Sequence, residues 1–304
     1  MVNFHVEATS KCTLGCPACD RTWFYNTFKK RLLHEIDVDD LVKFIGEHKE
    51  VNFCGNNGDP IYHSRFLELC EKLKEKNCQL HITTNGSSRP KKWWTKLSKI
   101  LQANDSVKLS IDGLADTNHI YRKNSNWESI LDAIKILNSK KSLFKTVWKF
   151  IIFKQNQHQI EEAKKLSVDL GFDSFKLEKS YRWIDNKDMM PDPKYVDDYY
   201  QHQQDVLGHK QYESKMKPNC LRNNKPENEL YIDSEGNFYP CCWMGTYRYR
   251  GKSIFSPKQN NFNIKTARLS EILEHDDVKN FFESTKEFTS AHNCCKIHCG
   301  IKNG

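Results

Sequence analysis

The chain has 304 residues, which at about 150 residues per domain is enough for one large domain or for a medium domain and a smaller one. Hydrophobic residues make up 38% and charged residues 28%, and the 9 prolines and 13 glycines are too few for a collagen-like or low-complexity chain. The net charge of +8 comes from basic residues interleaved with acidic ones, so it indicates only a mild preference for anionic partners.

Neither a membrane anchor nor an export signal is visible in the sequence. An apolar run such as residues 150–153 is far shorter than the roughly 18 to 20 residues of a membrane helix. Residues 1–7 lack both a basic leader and a long apolar stretch, so no signal peptide is indicated. We therefore expect a globular protein of the cytoplasm with no membrane partner.

The first part of the chain alternates short β-branched runs with amphipathic helical patterns. The candidate strands are residues 4–8, 51–54, 79–83, 107–111, 147–153 and 174–177. Between them, residues 66–73 and 130–137 repeat apolar side chains at helical spacing. Consecutive βα units predict a parallel sheet, because each crossover needs a helix to return the chain. Periodicity alone leaves open whether this sheet is doubly wound or curls toward a barrel.

The pattern changes in the remainder of the chain. A helix is predicted over residues 194–206, and a short helix over residues 269–282. Residues 229–239 alternate like two strands around a Ser-Glu-Gly turn, which predicts a hairpin. We place a domain boundary near residue 210. The two predicted domains are residues 1–210, which include a connecting segment, and residues 211–304.

Twelve cysteines in a chain expected in the cytoplasm indicate metal or redox chemistry, because disulfides are rare there. Cys12, Cys16 and Cys19 fall within eight residues, directly after the first predicted strand. A closed structural zinc or iron-sulfur site takes four protein ligands, so three cysteines indicate an open coordination position that is available for chemistry. A structural zinc site that borrows a distant fourth ligand is the alternative.

The segment Cys12-Thr-Leu-Gly-Cys16-Pro-Ala-Cys19 resembles the C-x3-C-x2-C signature of the radical S-adenosylmethionine (SAM) superfamily. The resemblance extends from Phe4 to about Leu177. It implies an α/β fold with a partial (β/α)6 TIM-like barrel, and a 4Fe-4S cluster held by the three cysteines and bound to SAM. It also implies reductive cleavage of SAM to a 5'-deoxyadenosyl radical that abstracts hydrogen from a substrate, with a flavodoxin or ferredoxin as the reductant.

Two loops resemble SAM-binding motifs of that superfamily. Gly58 and Asp59 lie in Gly55-Asn-Asn-Gly-Asp-Pro, which resembles the Gly-Gly-Glu-Pro motif that contacts the SAM amino group, although the acid here is one methylene shorter. Asn85 lies in a Thr-Asn-Gly turn that closes the third predicted strand. A Gly-Asp-Pro turn alone is usually only a turn. Its occurrence with the other motifs, at the carboxyl ends of successive strands, favours a site there.

Three further positions resemble SAM contacts. Ser110 and Arg122 resemble the pair that binds the SAM carboxylate, a role that suits the paired donors and permanent charge of a guanidinium. Ala18 stands where the superfamily often has an aromatic residue, which weakens one adenine contact and leaves the cluster unaffected. The positions expected to bind SAM are therefore Ala18, Gly58, Asp59, Asn85, Ser110 and Arg122.

A second group of cysteines lies in the last third of the chain. Cys220 and the segment Gly236-Asn-Phe-Tyr-Pro-Cys241 fit C-x(9-15)-G-x4-C, which resembles the opening of the SPASM and twitch auxiliary-cluster domains. Few cysteines follow, so the resemblance implies a small α+β domain with one auxiliary 4Fe-4S cluster. The ligands expected for it are Cys220, Cys241, Cys295 and Cys299. Cys294 is the alternative to Cys295, and a structural zinc in the same site is the alternative to the cluster.

This layout resembles enzymes that oxidise an unactivated C–H bond by two electrons, with electron transfer to the auxiliary cluster. Glu178 at the end of the sixth strand and Asp185 just beyond it are the candidate bases or substrate contacts. One alternative is a maturase that forms a crosslink, thioether or epimer on a peptide, although no leader-recognition domain precedes the first barrel strand. Another is an iron-sulfur electron carrier without catalysis. The substrate is thus expected to be a small molecule or a peptide, and no nucleic-acid partner is indicated.

Overall fold

A computed structural model describes most of the chain. The described residues are 3–139, 143–180, 186–196, 216–218, 229–247, 255, 262–287 and 290–302. The strands are β1 (Asn3–Val6), β2 (Glu50–Phe53), β3 (Gln79–Thr84), β4 (Ser106–Ser110), β5 (Lys145–Ile151), β6 (Ser174–Glu178), β7 (Met216–Pro218), β8 (Glu229–Ile232), β9 (Phe238–Tyr239) and β10 (Gly300–Lys302). The α-helices are α1 (Asp20–Phe28), α2 (Val38–Ile45), α3 (Phe66–Glu75), α4 (Lys91–Ile100), α5 (Asn118–Tyr121), α6 (Trp127–Asn138), α7 (Ile160–Asp169), α8 (Leu269–Glu274), α9 (Asp276–Ser284) and α10 (Asn293–Cys299).

The first six strands form one parallel sheet in chain order. Each strand pairs with the next one along the chain, from β1 with β2 to β5 with β6. A doubly wound sheet would reverse its strand order near the middle, whereas a series of same-handed crossovers in sequential order keeps the helices on one face. The topology therefore decides for the partial TIM-like barrel, and the predicted α/β fold class is confirmed.

Side chains alternate between two different environments along these strands. In β3, Leu80 and Ile82 are fully buried in the core beneath the helices, while His81 lies on the opposite face. In β4, the same alternation places Leu109 in the core and Lys108 on the opposite face. We call the polar face, which the helices do not cover, the lumen face. A ligand inside the barrel meets these side chains.

The helices follow the predicted apolar periodicity. Helix α3 buries Phe66, Leu69 and Leu73, and α6 buries Ile130 and Ile134 along one face. Both agree with the helical patterns at residues 66–73 and 130–137. Packing of these faces on the sheet, more than helix propensity, stabilises such short helices.

The predicted hairpin is present, and it extends the barrel sheet. Strands β8 and β9 are antiparallel, and β8 also pairs in parallel with β1, from Asn3 opposite Glu229 to Val6 opposite Ile232. The sheet order is therefore β6-β5-β4-β3-β2-β1-β8-β9. The second predicted domain thus shares a sheet with the first. The predicted boundary near residue 210 lies outside the described residues.

Two helix predictions are wrong in detail. The predicted helix over residues 269–282 is two helices, because the backbone of His275 is extended (φ −65°, ψ 134°) and separates α8 from α9. The predicted helix over residues 194–206 does not begin as expected. Pro193–Tyr195 form a 3-10 turn that ends at an extended Val196 (φ −93°, ψ 132°), a conformation that β-branched residues favour, and the residues after it lie outside the described ones. Within the described ranges, no helix is long and apolar enough to cross a membrane.

Candidate functional site

The three cysteines of the first motif lie together after β1. Cys19 caps the amino end of α1, and its backbone N–H donates to the carbonyl of Cys16 at 3.2 Å. Cys12, Cys16 and Cys19 all belong to or pack against one small apolar cluster. The other buried members of that cluster are Leu14, Tyr121, Phe153 and Met189. The fold thus gathers the three thiols in one apolar setting at the carboxyl end of the sheet.

One predicted SAM-binding residue contacts one of these thiols and is hydrogen-bonded to a second such residue. Asn85 Nδ2 donates to Asp59 Oδ2 at 2.6 Å and lies 3.7 Å from the sulfur of Cys12. The backbone N–H of Asn85 donates to the same Asp59 oxygen at 2.7 Å. Burial raises the pKa of Asp59, and burial together with the Asp59 charge raises the pKa of Cys12 to about 12. Residues from three separate loops therefore form one connected site.

The glycine-rich loop after β2 is held by a residue that the sequence did not reveal. Glu7 is almost fully buried and accepts hydrogen bonds from the backbone N–H groups of Asn57 and Gly58, both at 2.8 Å. A Cβ atom on Gly58 would lie 1.7 Å from the carbonyl oxygen of Thr9, so only glycine fits there. Burial raises the pKa of Glu7. Nothing local in the sequence pairs Glu7 with a loop some 50 residues away.

Arg122 is oriented by a buried acid. Its Nε lies 2.7 Å from Oδ2 of Asp112, which is fully buried, and the other Asp112 oxygen accepts from the backbone N–H of Ile151 at 2.7 Å. Ser110 ends β4 two residues before Asp112, so it lies at the same edge of the sheet. Ala18 packs against the apolar cluster around the first three cysteines. The predicted SAM-binding positions thus all lie at the carboxyl edge or in the loops that follow it.

The later cysteines form a second group. Burial and the neighbouring thiol of Cys242 raise the pKa of Cys241, and Cys295 and Cys299 act in the same direction. Cys294 is surrounded by the same residues, and burial raises its pKa as well. Because α10 is helical, Cys295 and Cys299 lie on one of its faces, one turn apart. Cys220 lies outside the described residues.

The backbone brings the segment before Cys220 to this second group. Strand β7 pairs with β10 in antiparallel register, and Pro218 stands opposite Gly300. Gly300 follows Cys299 directly, and Pro218 precedes Cys220 by two residues in the sequence. Strand β7, the described segment that precedes Cys220 in the sequence, therefore ends beside the carboxyl end of α10.

One residue, Asn56, contacts both cysteine groups. The thiol of Cys19 lies 3.8 Å from the carbonyl oxygen of Asn56, and Asn56 Nδ2 donates to the carbonyl of Cys242 at 2.8 Å. Asn56 Nδ2 also lies 3.2 Å from the hydroxyl of Tyr231, which donates to Glu7 at 2.6 Å. The loop after β2 thus contacts both cysteine groups.

The predicted acid at the end of β6 is paired with two lysines. Glu178 Oε1 lies 3.0 Å from Nζ of Lys176 and 3.4 Å from Nζ of Lys149. All three side chains lie on the lumen face, since Lys149 is paired with Lys176 and Ile151 with Glu178 across the strands. Asp185, the other predicted acid, lies outside the described residues.

A partial barrel with three clustered cysteines after its first strand, followed by a further cysteine group, defines a cluster-dependent class of enzymes. Residues 6–166 match the family model of the Radical SAM superfamily, and residues 220–300 match that of SPASM, an iron-sulfur cluster-binding domain. The chain belongs to the radical SAM superfamily and carries a C-terminal SPASM domain. Its cofactors are SAM, a 4Fe-4S cluster and an auxiliary iron-sulfur cluster.

Two curated proteins resemble part of the chain. The tungsten-containing aldehyde ferredoxin oxidoreductase cofactor-modifying protein of Pyrococcus furiosus is 26% identical over 191 residues, which cover 57% of this chain and 50% of that protein. The pre-heme d1 synthase of Dinoroseobacter shibae is 26% identical over 171 residues, or 56% of this chain and 41% of the synthase. The matched part of the chain thus spans half or less of the length of these relatives.

Solved structures share the fold over most of the chain. The structure described as native anSMEcpe with bound AdoMet and Cp18Cys peptide has a TM-score of 0.58 and 15% identity, and the match covers 97% of this chain and 88% of that one. Streptococcus suis SuiB bound to precursor peptide SuiA has a TM-score of 0.62 and 13% identity, with 91% and 65% covered. At such low identity the likeness establishes the fold alone.

Proposed function

We propose that this radical SAM enzyme oxidises its substrate by two electrons. The oxidation would remove one hydrogen atom, one proton and one electron from the substrate. The SAM site would supply the acceptor for the hydrogen atom, a base of this chain would take the proton, and the auxiliary cluster would supply the acceptor for the electron. A flavodoxin or ferredoxin is the expected electron donor for SAM cleavage. Glu178 is the candidate proton acceptor within the described residues, because it lies on the lumen face at the carboxyl end of β6.

The residues of the first site suit the group they would hold. Three thiols in one apolar cluster are the donor set that an iron-sulfur cube with one open iron requires. Among the described residues, no three His, Cys, Asp or Glu side chains are drawn together closely enough to hold a single metal ion. When bound, SAM and its cluster supply a hydrogen-abstracting radical after one-electron reduction.

The chain's own residues would position SAM from several directions. We assign Cys12, Cys16 and Cys19 to the cluster, and Arg122 to the carboxylate of SAM. The buried Asp112 fixes the direction in which the Arg122 guanidinium points, at 2.7 Å. Ala18 packs beside the cysteines and offers a small apolar contact. The remaining assigned SAM contacts are Gly58, Asp59, Asn85 and Ser110.

The electron-acceptor role proposed for the auxiliary cluster is based on the contacts of Asn56 with both cysteine groups. Its carbonyl lies 3.8 Å from the Cys19 sulfur, and its side chain donates to Cys242 at 2.8 Å. Cys242 follows Cys241, which we assign to the auxiliary cluster with Cys220, Cys295 and Cys299. A single residue between the two groups supports a short path for an electron that leaves the substrate site.

Iron content after anaerobic reconstitution tests this proposal. The wild-type protein should hold about eight irons and Cys241→Ala about four, because each cube holds four. Reduction with dithionite should yield two electron paramagnetic resonance signals in the wild type, and added SAM should change only one of them. Wild-type protein with SAM and dithionite should also form 5'-deoxyadenosine.

A matched control separates ligand loss from general damage. Cys78 is buried outside both cysteine groups, and its thiol contacts the carbonyl of Gly46 at 3.5 Å. Cys78→Ala should therefore retain about eight irons. If Cys241→Ala also retained them, the protein would have no auxiliary cluster on this cysteine and the electron acceptor proposed here would be lost.

A peptide substrate is the second candidate. Two structures that share this fold hold a peptide, one of them with SAM. A radical SAM maturase would change a peptide's covalent structure, by a crosslink, thioether or epimer, when it is incubated with SAM and reductant. Mass spectrometry with hydrogen–deuterium labelling of the peptide distinguishes such products from a simple two-electron oxidation.

A further inference from the structure

Lysines from three neighbouring strands share the lumen face. Lys108 lies in β4, Lys149 in β5 and Lys176 in β6. Lys149 stands directly opposite Lys176, and Lys108 stands opposite Val147, two residues before Lys149 on the same face. The residues that flank Lys149, Trp148 and Phe150, are fully buried against the helices. The lysines therefore project into the barrel and away from its core.

Only part of this positive charge is balanced. Glu178 pairs with both Lys149 and Lys176. Within the described ranges, no carboxylate lies within 4.0 Å of Lys108, and no hydrogen bond to its ammonium group is formed. Three positive charges less one negative charge leave a net charge of +2 on this part of the lumen face.

The electrostatics of Lys108 reflect this imbalance. Its side chain is half-buried, and burial followed by the charge of Lys149 lowers its pKa, with Lys176 acting in the same direction. Cys54 and Glu50 act in the opposite direction, but Glu50 is at the amino end of β2, where it lies 3.4 Å from His81. Like charges on neighbouring strands destabilise a sheet. A bound anion would remove that cost.

The lysine site lies next to the first cysteine group. Ile151 shares the face of Lys149 and comes two residues later in β5, a distance of about 7 Å along the strand. Ile151 packs against the apolar cluster that includes Cys16 and borders Cys12 and Cys19. A substrate held by the lysines therefore extends toward the end of the barrel where SAM is expected.

We propose, taking the oxidation above as the reaction of this site, that Lys108, Lys149 and Lys176 bind a phosphate group of the substrate. A phosphate monoester carries a charge close to −2 at neutral pH, which matches the net charge of the site. Lysine binds phosphate as a point charge, and three ammonium groups can surround its oxygens. The substrate class is thus a phosphorylated small molecule.

Phosphate binding to the reconstituted holoenzyme tests this assignment. Inorganic phosphate is titrated into the protein in the presence of SAM at constant ionic strength, and binding is followed by phosphorus NMR line broadening. Lys108→Gln should weaken binding by about tenfold or more, since a hydrogen bond to a charged group is lost. Lys108→Arg keeps the charge and should retain most of the affinity. Iron content confirms that each variant is folded.

The control variant is Lys165→Gln. Lys165 is exposed on α7, away from the lumen face, and phosphate affinity should not change when its charge is removed. Equal affinities of Lys108→Gln and Lys165→Gln would overturn the proposal. If succinate bound the site more tightly than phosphate, and its binding depended on Lys108, the site would favour a dicarboxylate. That result would overturn the assignment of the substrate class.

The phosphate-binding experiment is independent of the test for the proposed oxidation. Iron content is measured on the wild-type enzyme and the cysteine variants, and 5'-deoxyadenosine formation on the wild-type enzyme, both without phosphate. Loss of the auxiliary cluster signal would remove the electron acceptor and leave the phosphate site standing, whereas absent phosphate binding would leave the two-cluster enzyme standing.

Discussion

Replacement of Tyr231 by Phe tests the contact that joins the hairpin to the barrel. The hydroxyl of Tyr231 donates to Glu7 at 2.6 Å, and its ring is fully buried. The other bonds to the Glu7 carboxylate come from Asn57, at 2.8 and 3.3 Å, and from Gly58, at 2.8 Å. The substitution removes this donor to Glu7, together with the hydroxyl that accepts from Asn56 Nδ2 at 3.2 Å, and leaves the packing of the ring in place.

The magnitude follows from the charge and burial of the acceptor. A hydrogen bond to a charged group contributes about 1.5–3 kcal/mol to stability, and a buried acceptor that loses a donor bears that cost. Because about 1.4 kcal/mol corresponds to a factor of ten, the loop that Glu7 holds should open roughly ten to one hundred times more often in Tyr231→Phe.

Hydrogen exchange of the anaerobically reconstituted protein measures this opening. The amides of Asn57 and Gly58, which donate to Glu7, should lose protection by that factor. The control is Tyr239→Phe, which removes a buried hydroxyl from the neighbouring strand and leaves the hydrogen bonds to Glu7 in place. Unchanged protection in Tyr231→Phe, or an equal loss in the control, would refute the reasoning.

The pH dependence supplies a second check on Glu7. Burial raises its pKa above the ordinary value of 4.5, so the folded protein retains this proton at pH values where the unfolded chain has lost it. The contribution of Glu7 to the free energy of unfolding is therefore lost as the pH rises from the pKa of the unfolded chain through the pKa of the folded protein. The Tyr231 donor favours the ionised form, so its loss raises the folded pKa further. The effect of Tyr231→Phe should therefore be larger above the folded pKa than below it, and an effect equal at all pH values would contradict this account.

Two further substitutions probe the same site. Gly58→Ala would place a Cβ atom 1.7 Å from the carbonyl oxygen of Thr9, so the loop must move, and 5'-deoxyadenosine formation should fall at least about tenfold. The control is Gly15→Ala, whose Cβ atom would meet nothing closer than 3.6 Å, and equal activity of the two variants would count against the close approach of Gly58 to Thr9. Asp112→Asn removes the buried negative charge opposite Arg122 Nε and should lower the free energy of unfolding by about 3–5 kcal/mol in denaturant titrations, while a loss below about 1 kcal/mol would mean that the pair is solvated.

Local spacing explains which features could be predicted. The six barrel strands lie within about two residues of their predicted positions, because alternation and β-branched composition are properties of short segments. The spacing of Cys12, Cys16 and Cys19 identified the superfamily for the same reason. The start predicted at Lys194 for the helix over residues 194–206 was wrong, because one turn after Pro193 satisfies the same local signals and then ends at an extended residue. The localisation of the protein to the cytoplasm and the identity of its reductant stay predictions.

The sequence by itself determined the strand order along the chain, the two cysteine groups and the class of cofactor, since each depends on residues close together in the chain. Only the tertiary structure decided that β8 pairs with β1, and that Glu7 and Asn56 tie the barrel to the hairpin. It also decided that Lys108 shares the lumen face with lysines of two other strands, which accounts for a part of the net charge of +8. A period of two predicts on which face a side chain lies, but not which distant strand lies beside it.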